Sequence, residues 1–371
     1  MMNNRFSPWP SFTQEEIDSV SNVLSSNKVN YWTGEECRKF EKEFAAWSDS
    51  KHAVAVANGT VAIDLALKAL DVSEGDEVIV TSRTFLASVS SIVNSGARPV
   101  FADICINSQN VLSSEISKLI NSKTKAILCV HLAGFPCEMD HIMKIAKEHN
   151  LFVIEDCAEA TGATINGEKV GSIGDIGCFS FFGNKIITTG EGGMCTTNNS
   201  DLNERMRVLR DHGMDKSKRY WHNEIGYNYR MTNLSAAIGV AQMEQISFFL
   251  KKRQKLRIQY DNLINFNSNL LKPVDSFFGN EVEWFYNINL SSTTKIKRDE
   301  LIFELSKVGI DSRPFFYPIH LMPPYLNYTG TKKDLINAET FGKNGMNLPL
   351  YPSLSIEDVK FISTQLNKIL S

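Results

Sequence analysis

The run Ser180-Phe-Phe-Gly-Asn-Lys185 places a lysine at the end of an apolar stretch, just ahead of the glycine-rich turn Thr189-Gly-Glu-Gly-Gly193. Burial disfavours an ammonium and lowers its pKa. An amine made less basic in this way is what Schiff-base chemistry requires. Upstream, Val153-Ile-Glu155-Asp156-Cys-Ala-Glu159-Ala160 ends another apolar run with an acidic pair. A lysine facing an aldehyde and a carboxylate facing a pyridinium nitrogen form the two ends of a pyridoxal 5'-phosphate (PLP) site. The plainer alternatives are a solvated loop lysine and helix-capping carboxylates.

Other residues fit the same chemistry. Asn58-Gly59-Thr60 lies between a strand pattern and a helix pattern. Helix N-termini offer free N–H groups to anions, so this is a phosphate cup or a plain cap. Ser180 interrupts an apolar strand and needs a hydrogen-bond partner. Phe85 reads as ordinary core by spacing alone. Neither a Walker A loop nor Gly-x-Gly-x-x-Gly occurs, so ATP and NAD readings have no motif. No His/Cys/Asp cluster has metal-ligand spacing, and no metal is expected. The seven cysteines form no Cys-x-x-Cys and sit mostly in apolar runs. They read as reduced, buried groups of a cytoplasmic protein, with Cys157 beside the acidic pair as an alternative nucleophile.

These residues need a scaffold, and the chain is long enough for one. Its 371 residues exceed one typical core and predict a large PLP-binding domain over 1–245 and a small C-terminal one over 246–371. The net charge of −3 predicts no attraction to nucleic acid or anionic membrane, and no run is long enough to span a bilayer. Helical periodicity covers 15–26 and 37–47. Strand patterns follow at 52–57, 77–81, 99–102, 125–131, 151–155, 178–182 and 193–197. The helical patterns among them fall at 59–70, 84–95, 112–120 and 138–149. Strands apolar throughout are those of a parallel sheet covered on both faces. A long helix over 233–262 leads to a region with a strand at 283–290 and helices at 298–308 and 356–369.

The five motifs Asn58-Gly-Thr60, Thr84-Phe85-Leu-Ala-Ser88, Glu155-Asp156-Cys-Ala-Glu159-Ala, Ser180-Phe-Phe-Gly-Asn-Lys185 and Gly226-Tyr-Asn228-Tyr-Arg230-Met-Thr232 occur in this order. The chain thereby resembles the PLP-dependent nucleotide-sugar aminotransferases of the DegT/DnrJ/EryC1/StrS type, over about residues 32–352. The resemblance implies the aspartate-aminotransferase-like fold type I: an α/β domain with a mostly parallel seven-stranded sheet, and a smaller α+β domain. It implies that Lys185 carries PLP and moves the proton, and that Asp156 keeps the ring nitrogen protonated. Glu159 would contact the 3-oxygen and Phe85 would stack on the ring. Gly59, Thr60 and Ser180 would hold the phosphate. Asn228 would reach the neighbouring subunit's phosphate, which implies a homodimer with shared sites. Arg230, Arg313, Tyr317 and His320 fall on the sugar-nucleotide side, and His131 ends a strand on the active side.

Related sugar dehydratases replace the lysine by histidine, so Lys185 favours transamination. The reaction implied is transfer from L-glutamate to C4 of a nucleotide-linked 4-keto-6-deoxyhexose, in surface-polysaccharide and O-antigen synthesis. Val29-Asn-Tyr-Trp-Thr-Gly34 departs from the perosamine-synthase pattern. That favours dTDP-4-keto-6-deoxyglucose, giving dTDP-4-amino-4,6-dideoxyglucose. The alternative is GDP-4-keto-6-deoxymannose, giving GDP-perosamine. The alternative of another class is a non-catalytic regulatory protein on the same fold. The residues leave the base, the sugar stereochemistry and C3 versus C4 open.

Overall fold

A computed structural model describes residues 5–267, 269–271, 277–328 and 335–371 of the chain. Two helices, α1 (Gln14–Ser26) and α2 (Glu36–Trp47), lead into an alternation of short strands and helices. The strands are β1 (His52–Val56), β2 (Glu77–Thr81), β3 (Arg98–Ala102), β4 (Thr124–Val130) and β5 (Phe152–Asp156), then a small hairpin, β6 (Thr164–Ile165) and β7 (Glu168–Lys169), and finally β8 (Ile176–Ser180) and β9 (Gly193–Thr197). The helices between and after them are α3 (Gly59–Ala69), α4 (Leu86–Asn94), α5 (Ser113–Ser117), α6 (Met139–His149) and α7 (Ser200–Arg210).

Seven strands form one sheet in the order β1-β9-β8-β5-β4-β2-β3, with β9 antiparallel to both neighbours and the other pairs parallel. Successive residues feed two different cores. Val78 and Val80 pack on one face while Ile79 packs on the other; Leu128 and Cys129 divide likewise. This is why the strands read as unbroken apolar runs. The carboxyl ends of β1, β2, β5 and β8 share one edge, where open α/β sheets place ligands.

The long helix α8 (Asn233–Leu263) begins at a Thr232 cap, whose Oγ1 accepts the Ser235 N–H at 3.1 Å. Its residues Ala236, Val240, Ile246 and Phe249 join the second core, whereas Leu256 and Tyr260 join a third. That third core lies under a four-stranded antiparallel sheet of order β10-β11-β13-β12: β10 (Leu270–Leu271), β11 (Tyr286–Leu290), β12 (Arg313–Pro314) and β13 (Gly345–Leu348). Helices α9 (Arg298–Lys307), α10 (Ile336–Asn344) and α11 (Ile356–Leu370) complete the described C-terminal part. Ser355 and Asp358 cap α11 reciprocally. Phe315, Ile319, Tyr325 and Phe341 join the first core of the large sheet, so this stretch crosses back over the edge where the site lies.

Two sequence expectations change. The strand expected at 283–290 begins at Tyr286, because Trp284 and Phe285 turn to the cavity between the sheets. The helix expected at 112–120 is only Ser113–Ser117. No described helix is long and apolar enough to cross a membrane.

Candidate active site

A cavity of about 620 Å³ opens at the carboxyl edge of the large sheet, and Asn58, Gly59, Thr60, Phe85, Asp156, Glu159, Ser180, Lys185 and Arg313 line it. Each cofactor-binding residue expected from sequence is there except Asn228.

Lys185 is nearly buried, with its backbone N–H bonded to Phe182 O at 3.0 Å. Its Nζ lies 3.7 Å from Glu159 Oε1, within ion-pair range, and 4.2 Å from the centre of the Trp284 ring. Burial pushes this amine below its usual value, against the opposing pull of Glu159 and Asp156. Burial also pushes the Glu159 carboxyl up, to about 7, with Lys185 and the Ala133 N–H drawing it down. Both partners are thus moved toward their neutral forms. Neighbouring bonds fix the geometry. The Trp284 Nε1–H donates to Asn184 O at 2.9 Å. Buried Arg253 donates to Trp284 O at 2.7 Å, to Leu350 O at 2.8 Å and to Lys185 O at 3.4 Å.

Asp156 ends β5 with its carboxylate tied down. Oδ1 accepts the Ala158 N–H at 3.1 Å and Oδ2 accepts the Ser88 hydroxyl at 2.7 Å. Ser88 is in turn 2.8 Å from Thr84 Oγ1. The Thr84–Ser88 motif therefore does two things: it presents Phe85 to the cavity and it braces Asp156. Phe85 is 54% exposed, not core as its spacing alone indicated.

At the phosphate end, Asn58 Oδ1 accepts the Val61 N–H at 3.0 Å and Asn58 O accepts that of Ala62. The first N–H groups of a helix have no intrahelical acceptor, which leaves those of Gly59 and Thr60 for an anion. Asn58 caps the helix, and Gly59 and Thr60 face the cavity. A Cβ on Gly59 would sit 2.7 Å from Ser180 Cβ, so glycine is required for the turn to meet the strand.

The remaining candidates fall elsewhere. His320 is buried between Ser82 Oγ at 2.7 Å and Glu339 Oε1 at 3.1 Å, away from the cavity wall; it joins segments rather than meeting a substrate. Tyr317 is exposed, accepts from Arg298 Nη2 at 3.2 Å and is likewise off the wall. Arg230 is paired with Asp211, and exposed Asn228 lies opposite Asp211 on an isolated bridge; neither lines this chain's cavity. His131 accepts the Cys137 N–H on Nδ1 at 3.0 Å and so donates from Nε2 to Glu155 Oε2 at 3.0 Å. Ligand atoms of His131, Glu155 and Cys157 lie within 4.8 Å of one another, a grouping invisible in the spacing. Glu155 already accepts from Gly171, Ile173 and Gly174 N–H groups, so these donors are consumed structurally. Burial pushes the Cys157 thiol up to about 12, which removes it as a nucleophile.

A lysine amine and a braced carboxylate in one cavity, with a helix N-terminus and Ser180 beside them, fit a pyridine aldehyde phosphate. The chain matches the DegT/DnrJ/EryC1/StrS aminotransferase family over residues 10–367. It belongs to that family. A GDP-perosamine synthase from Caulobacter vibrioides is 46% identical over 333 residues, 90% of this chain and 89% of that protein. A GDP-perosamine synthase from Escherichia coli O157:H7 is 44% identical over 362 residues, 98% of this chain and 97% of that protein. The solved aminotransferase from Psychrobacter cryohalolentis has a TM-score of 0.91 at 40% identity, covering 98% of each chain. The chain is thus a transaminase of the aspartate-aminotransferase-like fold, and its family is PLP-dependent. When bound, PLP acts as the electron sink through which an amino group leaves one carbon and joins another.

Proposed function

We propose that the protein transfers the amino group of L-glutamate to C4 of GDP-4-keto-6-deoxymannose, giving GDP-perosamine for a surface polysaccharide. The observation that carries this reading is the 46% identity to a GDP-perosamine synthase over nine-tenths of the chain, together with an intact Lys185–Asp156–Ser180 constellation. It favours the second of the two substrates considered from sequence over dTDP-4-keto-6-deoxyglucose. The intact constellation speaks against a purely regulatory role.

The residues divide the work as follows. Lys185 anchors the cofactor and, as a neutral amine at Nζ, takes a proton from the donor carbon and returns one to the sugar carbon. Asp156, held by Ser88 and Ala158, keeps the ring nitrogen protonated. Gly59, Thr60 and Ser180 seat the phosphate, and Phe85 covers the ring face. Glu159 sits beside Lys185 and holds or releases a proton near neutral pH. Arg313, on the cavity wall and paired to Asp311 at 2.9 Å, is the cation placed for the sugar nucleotide. Asn228, which is exposed, and Arg230, which is paired with Asp211, would serve the site of a second copy in a homodimer.

The test is a side-by-side assay of the GDP and dTDP keto sugars with L-glutamate, with the amino position read by NMR. A C4 amine on the GDP sugar, formed in preference, supports the reading. Preference for the dTDP sugar overturns the base, and an amine at C3 overturns the position.

A further inference from the structure

Arg83 lies outside every motif used so far, and it is a buried cation on a recess that shares Glu159 with the active cavity. It is 2% exposed, and no ion pair to a carboxylate is formed by it among the described residues. Its Nη1 donates to Gln109 O and its Nη2 to Gln109 Oε1, both at 3.1 Å. The guanidinium lies 4.8 Å from the Phe315 ring centre and 5.3 Å from that of Phe341. Its Nε is buried with no hydrogen-bond partner. The Glu159 carboxylate lies close enough to act on its charge but forms no ion pair with it, and a buried cation left with a donor unmet is unfavourable unless an anion completes it.

The place where that anion fits is a small side branch of the active cavity. A recess of about 20 Å³ is bounded by Arg83, Ala133, Glu159, Asn287 and Phe315, and it shares Glu159, Trp284, Phe316 and Asn347 with the main cavity. Buried Asn287, on its wall, also has an unpartnered amide atom, Oδ1. A half-turn of that amide presents N–H instead. Glu159 is already engaged by Lys185 at 3.7 Å and by the Ala133 N–H at 2.8 Å. The recess has room for about one water-sized group. It therefore takes the tip of a ligand seated in the main cavity, and a diphosphate is too large for it. An amino acid has the matching shape: a compact carboxylate close to the amine that must reach Lys185.

We propose that Arg83 recognises a carboxylate of the amino-acid donor and so sets donor specificity. This rests on the donor reading above and does not depend on which sugar nucleotide is the acceptor. A planar fork with a donor unmet is suited to a carboxylate in a way a lysine is not.

The experiment separates the two half-reactions. Holoenzyme is mixed with L-glutamate, 4-aminobutyrate (no α-carboxylate) or L-2-aminobutyrate (no side-chain carboxylate), and loss of the PLP absorbance is followed. The aminated enzyme is then mixed with keto sugar. In Arg83→Lys and Arg83→Gln, half-saturating glutamate should rise about tenfold or more, while the reaction with keto sugar stays within about twofold. The donor lacking the recognised carboxylate should be indifferent to the substitution. Asn287→Asp, which preserves shape but sets an anion beside Arg83, should weaken glutamate in the same way and covers the case in which an Arg83 variant misfolds. Unchanged glutamate dependence, or equal loss in both halves, overturns the proposal. A wild-type enzyme that accepts an amine from no amino acid refutes the donor reading instead.

Discussion

Removing the Ser88 hydroxyl should weaken catalysis without touching the cofactor's covalent anchor. Its Oγ donates to Asp156 Oδ2 at 2.7 Å, and the two side chains are buried. A hydrogen bond to a charged group contributes about 1.5–3 kcal/mol. If Ser88→Ala removes it, with ionised Asp156 most needed in the transition state, kcat/KM should fall about 10- to 100-fold. Thr84 Oγ1 also loses its partner, so some loss of stability accompanies this. Ser88→Thr, which keeps a hydroxyl, should recover most of the rate. Asp156→Asn should cost several kcal/mol of barrier by itself, a loss of ~10³-fold or more. In that background Ser88→Ala should add less than about threefold, because the ionic part of the bond is already gone. The assay is steady-state amination with PLP content and melting temperature measured on each variant. Ser88→Ala within twofold of wild type, or two substitutions that multiply independently, would refute the bracing role.

Other outcomes follow from the same geometry. Capture of PLP by apoprotein requires the neutral Lys185 amine, so its rate should rise with pH through a midpoint below the ordinary lysine value of 10.5. Glu159 stands 3.7 Å away and favours the ammonium, so Glu159→Gln should move that midpoint lower still, read by absorbance against pH; an upward move refutes the pairing. Lys185→Ala should abolish amination while the melting temperature stays near that of apoprotein. If Asn228 serves a partner's site, a mixture of Lys185→Ala and Asn228→Ala subunits, reassembled, should regain activity above both parents; a verified mixed dimer without gain counts against sharing.

The parts legible in sequence are those fixed by local pattern. Strands buried on both faces give unbroken apolar runs; Asp156 shows itself by ending one of them, and Lys185 by following another, in the turn five residues past its last residue, Ser180. What escaped depends on contacts distant along the chain. Ser88 reaches Asp156 across 68 positions and Arg83 reaches Gln109 across 26, and no periodicity encodes such pairs. Trp284 falls within the expected strand at 283–290, but cavity packing claims it. His320 falls on the sugar-nucleotide side by resemblance alone, yet Ser82 and Glu339 absorb both of its nitrogens. The two-residue strand Arg313–Pro314 and the four-residue strand Gly345–Leu348 are too short for an alternation to register.

The identity of the cofactor lysine tests the account most directly. Holoenzyme reduced with borohydride, digested and mapped by mass spectrometry should carry the pyridoxyl phosphate group on the peptide containing Lys185 and on no other. Label on a different lysine, or none in protein that has bound PLP, would contradict the site described.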